Sequence, residues 1–82
     1  ARLDLSFNMF GAEGVGILAA VLPQCKSLAH LNLRGNVLRD ESAGMLAAVL
    51  PQCASLAVLD LRDNDLSADC KTTMRTFPGV HV

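Results

Sequence analysis

The chain has 82 residues, enough for one small domain that would bury roughly 60% of its unfolded surface. Half of it is apolar (51%) but only 4% is aromatic, with no Trp or Tyr, so small aliphatic side chains must fill the interior. A net charge of −1 gives no support for nucleic-acid binding, which shows as a basic patch. The longest strongly apolar stretch, Val15 to Pro23, is far short of the ~20 residues of a membrane-spanning helix.

The first segment, Leu3-Asp4-Leu5-Ser6-Phe7-Asn8, alternates Leu with polar residues and reads as a short strand leading into a turn. It returns as Leu31-Asn32-Leu33-Arg34-Gly35-Asn36 and again as Leu59-Asp60-Leu61-Arg62-Asp63-Asn64, at offsets of 28. The second segment is helical in period: Val15, Leu18, Ala19 and Leu22 fall at i, i+3, i+4 and i+7, matched by Ala43, Leu46, Ala47 and Leu50. Glu13, Glu41 and Asp69 stand where the first turn of each helix belongs, facing the positive end of its dipole. Pro23 and Pro51 are expected to close the helices, since a residue before proline disfavours the α conformation. The first two units agree at roughly 16 of 28 positions, far beyond chance for a repeat of this length.

Neighbouring strands sit about 4.8 Å apart, whereas packed helices need 8–10 Å. A stack of such units must therefore bend. The expected fold is an α/β solenoid arc of three repeats (1–30, 31–58 and 59–82), with parallel strands on the concave side and helices on the convex side. Asn8, Asn36 and Asn64 recur where the chain leaves each strand, and their amides are expected to satisfy backbone groups that no ladder reaches. After Cys70 the third unit shortens to Met74-Arg75-Thr76-Phe77-Pro78, and Gly79-Val80-His81-Val82 departs from the pattern, as a degenerate C-terminal cap would. The chain opens inside a motif, so the sequence reads as a fragment of a longer polypeptide.

Leu28-Ala29-His30-Leu31-Asn32-Leu33-Arg34-Gly35-Asn36-Val37-Leu38 resembles the leucine-rich-repeat consensus LxxLxLxxNxL. The 28-residue period, the helical Leu-Ala-x-x-Leu and the late Cys are similar to the ribonuclease-inhibitor-like subclass. That subclass includes nucleotide-binding immune receptors and Ran GTPase-activating proteins. The resemblance implies a non-enzymatic surface that binds another protein, with no catalytic residue or cofactor to carry over.

Candidate contacts fall on two faces. Outward strand positions read Arg2, His30 and Val58, then Asp4, Asn32 and Asp60, then Ser6, Arg34 and Arg62, with Phe7 beside them as an anchor. On the helices, Gly16, Ile17, Ala20 and Val21, and then Gly44, Met45, Ala48 and Val49, are expected to point away from the core. Small residues one turn apart, Gly16 with Ala20 and Gly44 with Ala48, would let another helix approach closely. This second face would dock the chain on a larger complex, membrane-associated ones included. A third reading is the sensing region of an immune-type receptor.

The three cysteines form no CxxC pair, and Cys25 and Cys53 occupy equivalent inward positions one repeat apart, too distant for a relaxed disulfide. They read as reduced structural thiols of an intracellular, cytoplasmic protein. His30 and His81 lack positioned partners in the sequence, and Gly11, Gly14 and Gly16 are not followed by Lys-Ser or Lys-Thr. No metal, cofactor or small-molecule substrate is expected.

Overall fold

The computed structural model describes residues 1–82. Four parallel strands form one sheet in sequence order: β1 (Arg2–Asp4), β2 (His30–Asn32), β3 (Val58–Asp60) and β4 (Val80–His81). Helices α1 (Gly11–Val21), α2 (Asp40–Val49) and α3 (Ala68–Met74) follow the first three strands and form the second layer. The register matches the 28-residue period, with Leu3 beside Leu31 and Leu31 beside Leu59.

The core lies between the layers. Leu31, Leu33, Leu59 and Leu61 point from the sheet into it and are buried, as are Val15, Ala19 and Leu22 of the first helical half and Ala43 and Leu46 of the second. Leu38, Leu66 and Met74 complete it. Fully burying one Leu stabilises by about 1.5–3 kcal/mol, so the spacing of these leucines sets which face of each segment turns inward.

Asparagine stitches one unit to the next. Asn36 Oδ1 accepts the backbone N–H of Asn8 (2.8 Å) and of Phe10 (3.0 Å). Its Nδ2 donates to the carbonyls of Leu5 (2.9 Å) and Leu33 (3.1 Å). Asn64 repeats the pattern, accepting from Asn36 (2.8 Å) and Leu38 (3.0 Å) and donating to Leu33 and Leu61. Asn8 departs from the expectation: it is exposed, and its side chain donates only to the carbonyl of Ser6 (3.1 Å). Each amide bridges to the unit before it, and Asn8 stands in the first.

The prolines act differently from the sequence-based expectation. Leu22 and Leu50, directly before them, keep right-handed helical angles (φ −53°, ψ −42° and φ −52°, ψ −40°). Leu22 still donates its N–H to Leu18, and the chain then tightens into a 3₁₀ turn over Leu22–Gln24, with Leu50–Gln52 its counterpart. The helix ends because Pro23 and Pro51 have no N–H to continue the ladder, rather than because the preceding residue refuses the helical region.

The C-terminal segment is more regular than its sequence. Val80–His81 forms a fourth parallel strand, with Val80 beside Leu59 and His81 beside Asp60. Gly79 allows this. Its φ is +78°, and a Cβ there would collide with the backbone carbonyl of Ala57, so a side chain would push β4 off the sheet.

Each of the first three strands exits through a left-handed residue at one equivalent position: Phe7 (φ 55°), Gly35 (φ 69°) and Asp63 (φ 58°). The Phe7 ring covers Gly35, where a Cβ would overlap it. Aromatic packing on the neighbouring unit thus holds Phe7 in a region that favours glycine.

Candidate protein-binding surface

The sheet displays the predicted outward positions in straight rows. Arg2, His30 and Val58 are in register, as are Asp4, Asn32 and Asp60, and the second row continues to His81 on β4. Ser6, Arg34 and Arg62 lie just beyond the strand ends. A depression of about 230 Å³ opens between Arg2, Asp4, His30, Asn32, Val58 and Asp60.

The middle row also has a structural task. Asp4 Oδ1 accepts the N–H of Ser6 (2.9 Å) and its hydroxyl (2.6 Å), Asn32 Oδ1 accepts the N–H of Arg34 (3.0 Å), and Asp60 Oδ1 that of Arg62 (3.0 Å). These side chains mimic a backbone turn and fix where the chain leaves each strand. Of their remaining polar atoms, Asp60 Oδ2 is taken up by Arg62, while Asp4 Oδ2 and Asn32 Nδ2 make no hydrogen bond within the chain.

Charge on the face is mostly paired within it. Arg62 grips Asp60 with Nε and Nη2 at 3.0 and 2.7 Å, and these hydrogen bonds hold the Asp60 carboxyl below the usual carboxylate range. The same contact raises Arg62. Asp4 is lowered as well, first by the Ser6 hydroxyl and then by the Ser6 N–H. Arg34 Nε donates to Asp63 at 2.6 Å, and its guanidinium lies 5.9 Å from the Phe7 ring centroid. Phe7 is 67% exposed, so this cation–π contact leaves one ring face available to a partner.

His81, Met9 and Val37 were missed as surface candidates. His81 sits in the Asp60 row because β4 follows β3 after 21 residues rather than 28, which the period conceals. Met9 (81% exposed) and Val37 (56%) line a depression of about 410 Å³ behind the strand exits, beside Arg39 and Glu41. They stand 28 residues apart, and apolar residues recurring where the consensus is free were the available signal.

The helical face requires a correction. Gly16, Met45 and Val49 do not point away from the core: all three are half-buried, and Met45 and Val49 pack against the core cluster. The Met45 sulfur would lie 3.5 Å from a Cβ at Gly16, so Gly16 is the notch in α1 that receives the next helix of the same chain. Ile17, Ala20, Val21, Gly44 and Ala48 are exposed as expected.

Cys25 and Cys53 occupy equivalent places, each thiol donating to the carbonyl four residues back, at 3.5 Å (Val21) and 3.3 Å (Val49). Burial pushes the Cys53 and Cys70 thiols up. No three His, Cys, Asp or Glu side chains converge as metal ligands would, and no helix is long and apolar enough to cross a membrane.

The layered strands, the inward leucines and the asparagine bridges define a repeat solenoid. The family model for the leucine-rich repeat matches residues 24–47 and 52–69, just over half the chain, and the protein belongs to that family. No curated protein matches the chain. Leucine-rich repeats generally mediate protein–protein interaction.

Proposed function

We propose that this chain is a non-enzymatic interaction or scaffold module of the ribonuclease-inhibitor-like subclass, and that its strand face receives the partner protein. The 28-residue period supports the subclass. One observation carries the choice of face: the sheet aligns polar side chains of both signs in rows around a shallow depression, with the exposed Phe7 ring at the edge. Such a mixture suits a polar contact with an aromatic anchor. The helical face is the weaker candidate, because Gly16, Met45 and Val49 are engaged within the chain. The partner is a protein, and the compartment we infer from the unpaired cysteines is intracellular.

A photo-crosslinking residue placed at Asn32 in one variant and at Ala48 in another tests this in native extracts. Asn32 should yield defined adducts that Asp60→Ala with Phe7→Ala suppresses. Adducts from Ala48 alone would transfer the function to the helices and a larger complex docked there.

A further inference from the structure

The depression of about 410 Å³ behind the strand exits lies between the first and second units, with Met9 and Ala12 on one side and Val37, Glu41 and Ser42 on the other. Its apolar wall is open to solvent: Val37 is 56% exposed although a repeat is stacked on each side of it. Val37 and Met9 also stand in left-handed backbone (φ 57° and φ 51°), a region that a β-branched residue occupies only under strain. Asparagine there would relieve the strain, so the apolar side chain is held out against both solvation and backbone preference. The polar groups of the depression are free. Ser42 is only 1% exposed, yet its hydroxyl makes no hydrogen bond within the chain. No side-chain oxygen closed off from solvent lacks a partner, so this hydroxyl opens to the depression that Ser42 lines. Glu41 beside it enters no ion pair. Along the same rim a neighbouring depression is walled by Asp40, Glu41 and Asp65, and Arg39, which both depressions share, pairs loosely with Asp65 at 3.7 Å. Three carboxylates thus face one guanidinium. The positive end of the α2 dipole amounts to about half a charge and does not offset the excess.

We propose that this depression takes the side chain of a lysine from a basic segment of a partner protein. The methylene stem lies along Met9, Ala12 and Val37, and the ammonium meets the Glu41 carboxylate and donates to the Ser42 hydroxyl. Charge complementarity selects this occupant. A wholly apolar side chain would cover Glu41 without pairing it and would leave the Ser42 hydroxyl alone. An acidic one would meet carboxylates. Lysine answers both walls, because its stem covers apolar surface while its head stays among polar groups. A second cation on the same segment falls against Asp65 in the neighbouring depression. The site stands beside the strand face and does not depend on which face receives the rest of the partner.

Fluorescence anisotropy of a labelled acetyl-Gly-Lys-Gly-Lys-Gly-amide peptide, with the full chain titrated up to about 1 mM, reads the contact directly. The control peptide carries 2,4-diaminobutyrate for lysine, which keeps each ammonium but shortens its stem by two methylenes. At about pH 6, where both peptides are cationic, the lysine peptide should bind about fivefold tighter or more. Glu41→Gln and Ser42→Ala should each weaken it by about fivefold to tenfold. Neither removes a side-chain hydrogen bond or ion pair within the chain, and circular dichroism should confirm that both variants are folded. Val37→Asn should move two readouts in opposite directions. The thermal midpoint should rise as the left-handed strain is relieved, while the lysine peptide loses its advantage over the control. Asp60→Asn, on the strand face, should leave both affinities unchanged. Equal affinity of the two peptides would reduce the contact to a diffuse field and overturn the proposal. So would no binding, or an unchanged affinity in Glu41→Gln. Loss of binding in Asp60→Asn would move the cation to the strand face and overturn it as well.

Discussion

Asn36 and Asn8 are the same residue at the same point of the repeat, and their surroundings make them unequal. Asn36 is fully buried and satisfies two backbone N–H groups and the carbonyls of two units. Asn36→Ala leaves those groups unpaired and should cost about 1–3 kcal/mol in urea denaturation. Asn8→Ala removes one exposed hydrogen bond and should stay within about 0.5 kcal/mol of the parent. Gly79 is the second residue on which much depends. Gly79→Ala combines a positive φ with a Cβ driven at the Ala57 carbonyl, and should destabilise by at least about 1–3 kcal/mol. Amide exchange would localise the damage: Leu59 and Leu61 donate to the carbonyls of Gly79 and His81, and both should lose protection.

Between elements, the α1–α2 seam decides which helical residues are surface. Ile17 and Met45 are equivalent in the repeat, yet Met45 has α1 beside it and sits over Gly16, while Ile17 lies on the other side of α1. Met45→Glu should therefore destabilise by about 1–3 kcal/mol, since it buries part of a charge in an apolar seam. Ile17→Glu should shift the thermal midpoint little. Equal losses from the two substitutions would contradict the seam. The turn before α3 is fixed differently: Ser67 accepts the N–H of Cys70 (3.1 Å), and Asp40 accepts both the N–H (2.9 Å) and the hydroxyl (2.6 Å) of Ser67. A capping serine and a carboxylate from the preceding helix thus link neighbouring units at a second point, which no single repeat displays.

For the whole molecule, stability should form a plateau in pH. Asp4, Asp40 and Asp60 are held below the ordinary carboxylate value in the folded chain, chiefly by side-chain hydrogen bonds from Ser6, Ser67 and Arg62. A depressed folded pKa gives stability that is present above the unfolded value and lost as pH falls through the folded one. The Cys53 and Cys70 thiols are raised by burial, so their contribution is complete below the ordinary thiol pKa of about 8.5 and is lost at higher pH. Urea midpoints should be highest near neutrality and fall at pH 3 and at pH 10. Asp60→Asn should shrink the acid-side drop, and an unchanged drop would show that the Arg62 contact does not couple to folding.

The sequence by itself determined the repeat. Leucine spacing alternates by two in the strands and by three and four in the helices, and burying those leucines leaves one way for each segment to face. The prolines and the acidic first turns were legible because each acts on backbone groups within a few residues of itself, and the asparagines because they recur with the period, although the groups they bridge lie in the neighbouring unit. Tertiary structure decided what depended on a neighbour. It made a fourth strand of Gly79-Val80-His81-Val82, because a shortened helical half still returns the chain to the sheet edge. It drew Gly16, Met45 and Val49 into a seam while leaving Ile17 and Val21 outside, and it set His81 beside Asp60. A repeat assigns equivalent residues the same local conformation. Their burial depends on which unit lies alongside, and no position within the period encodes that.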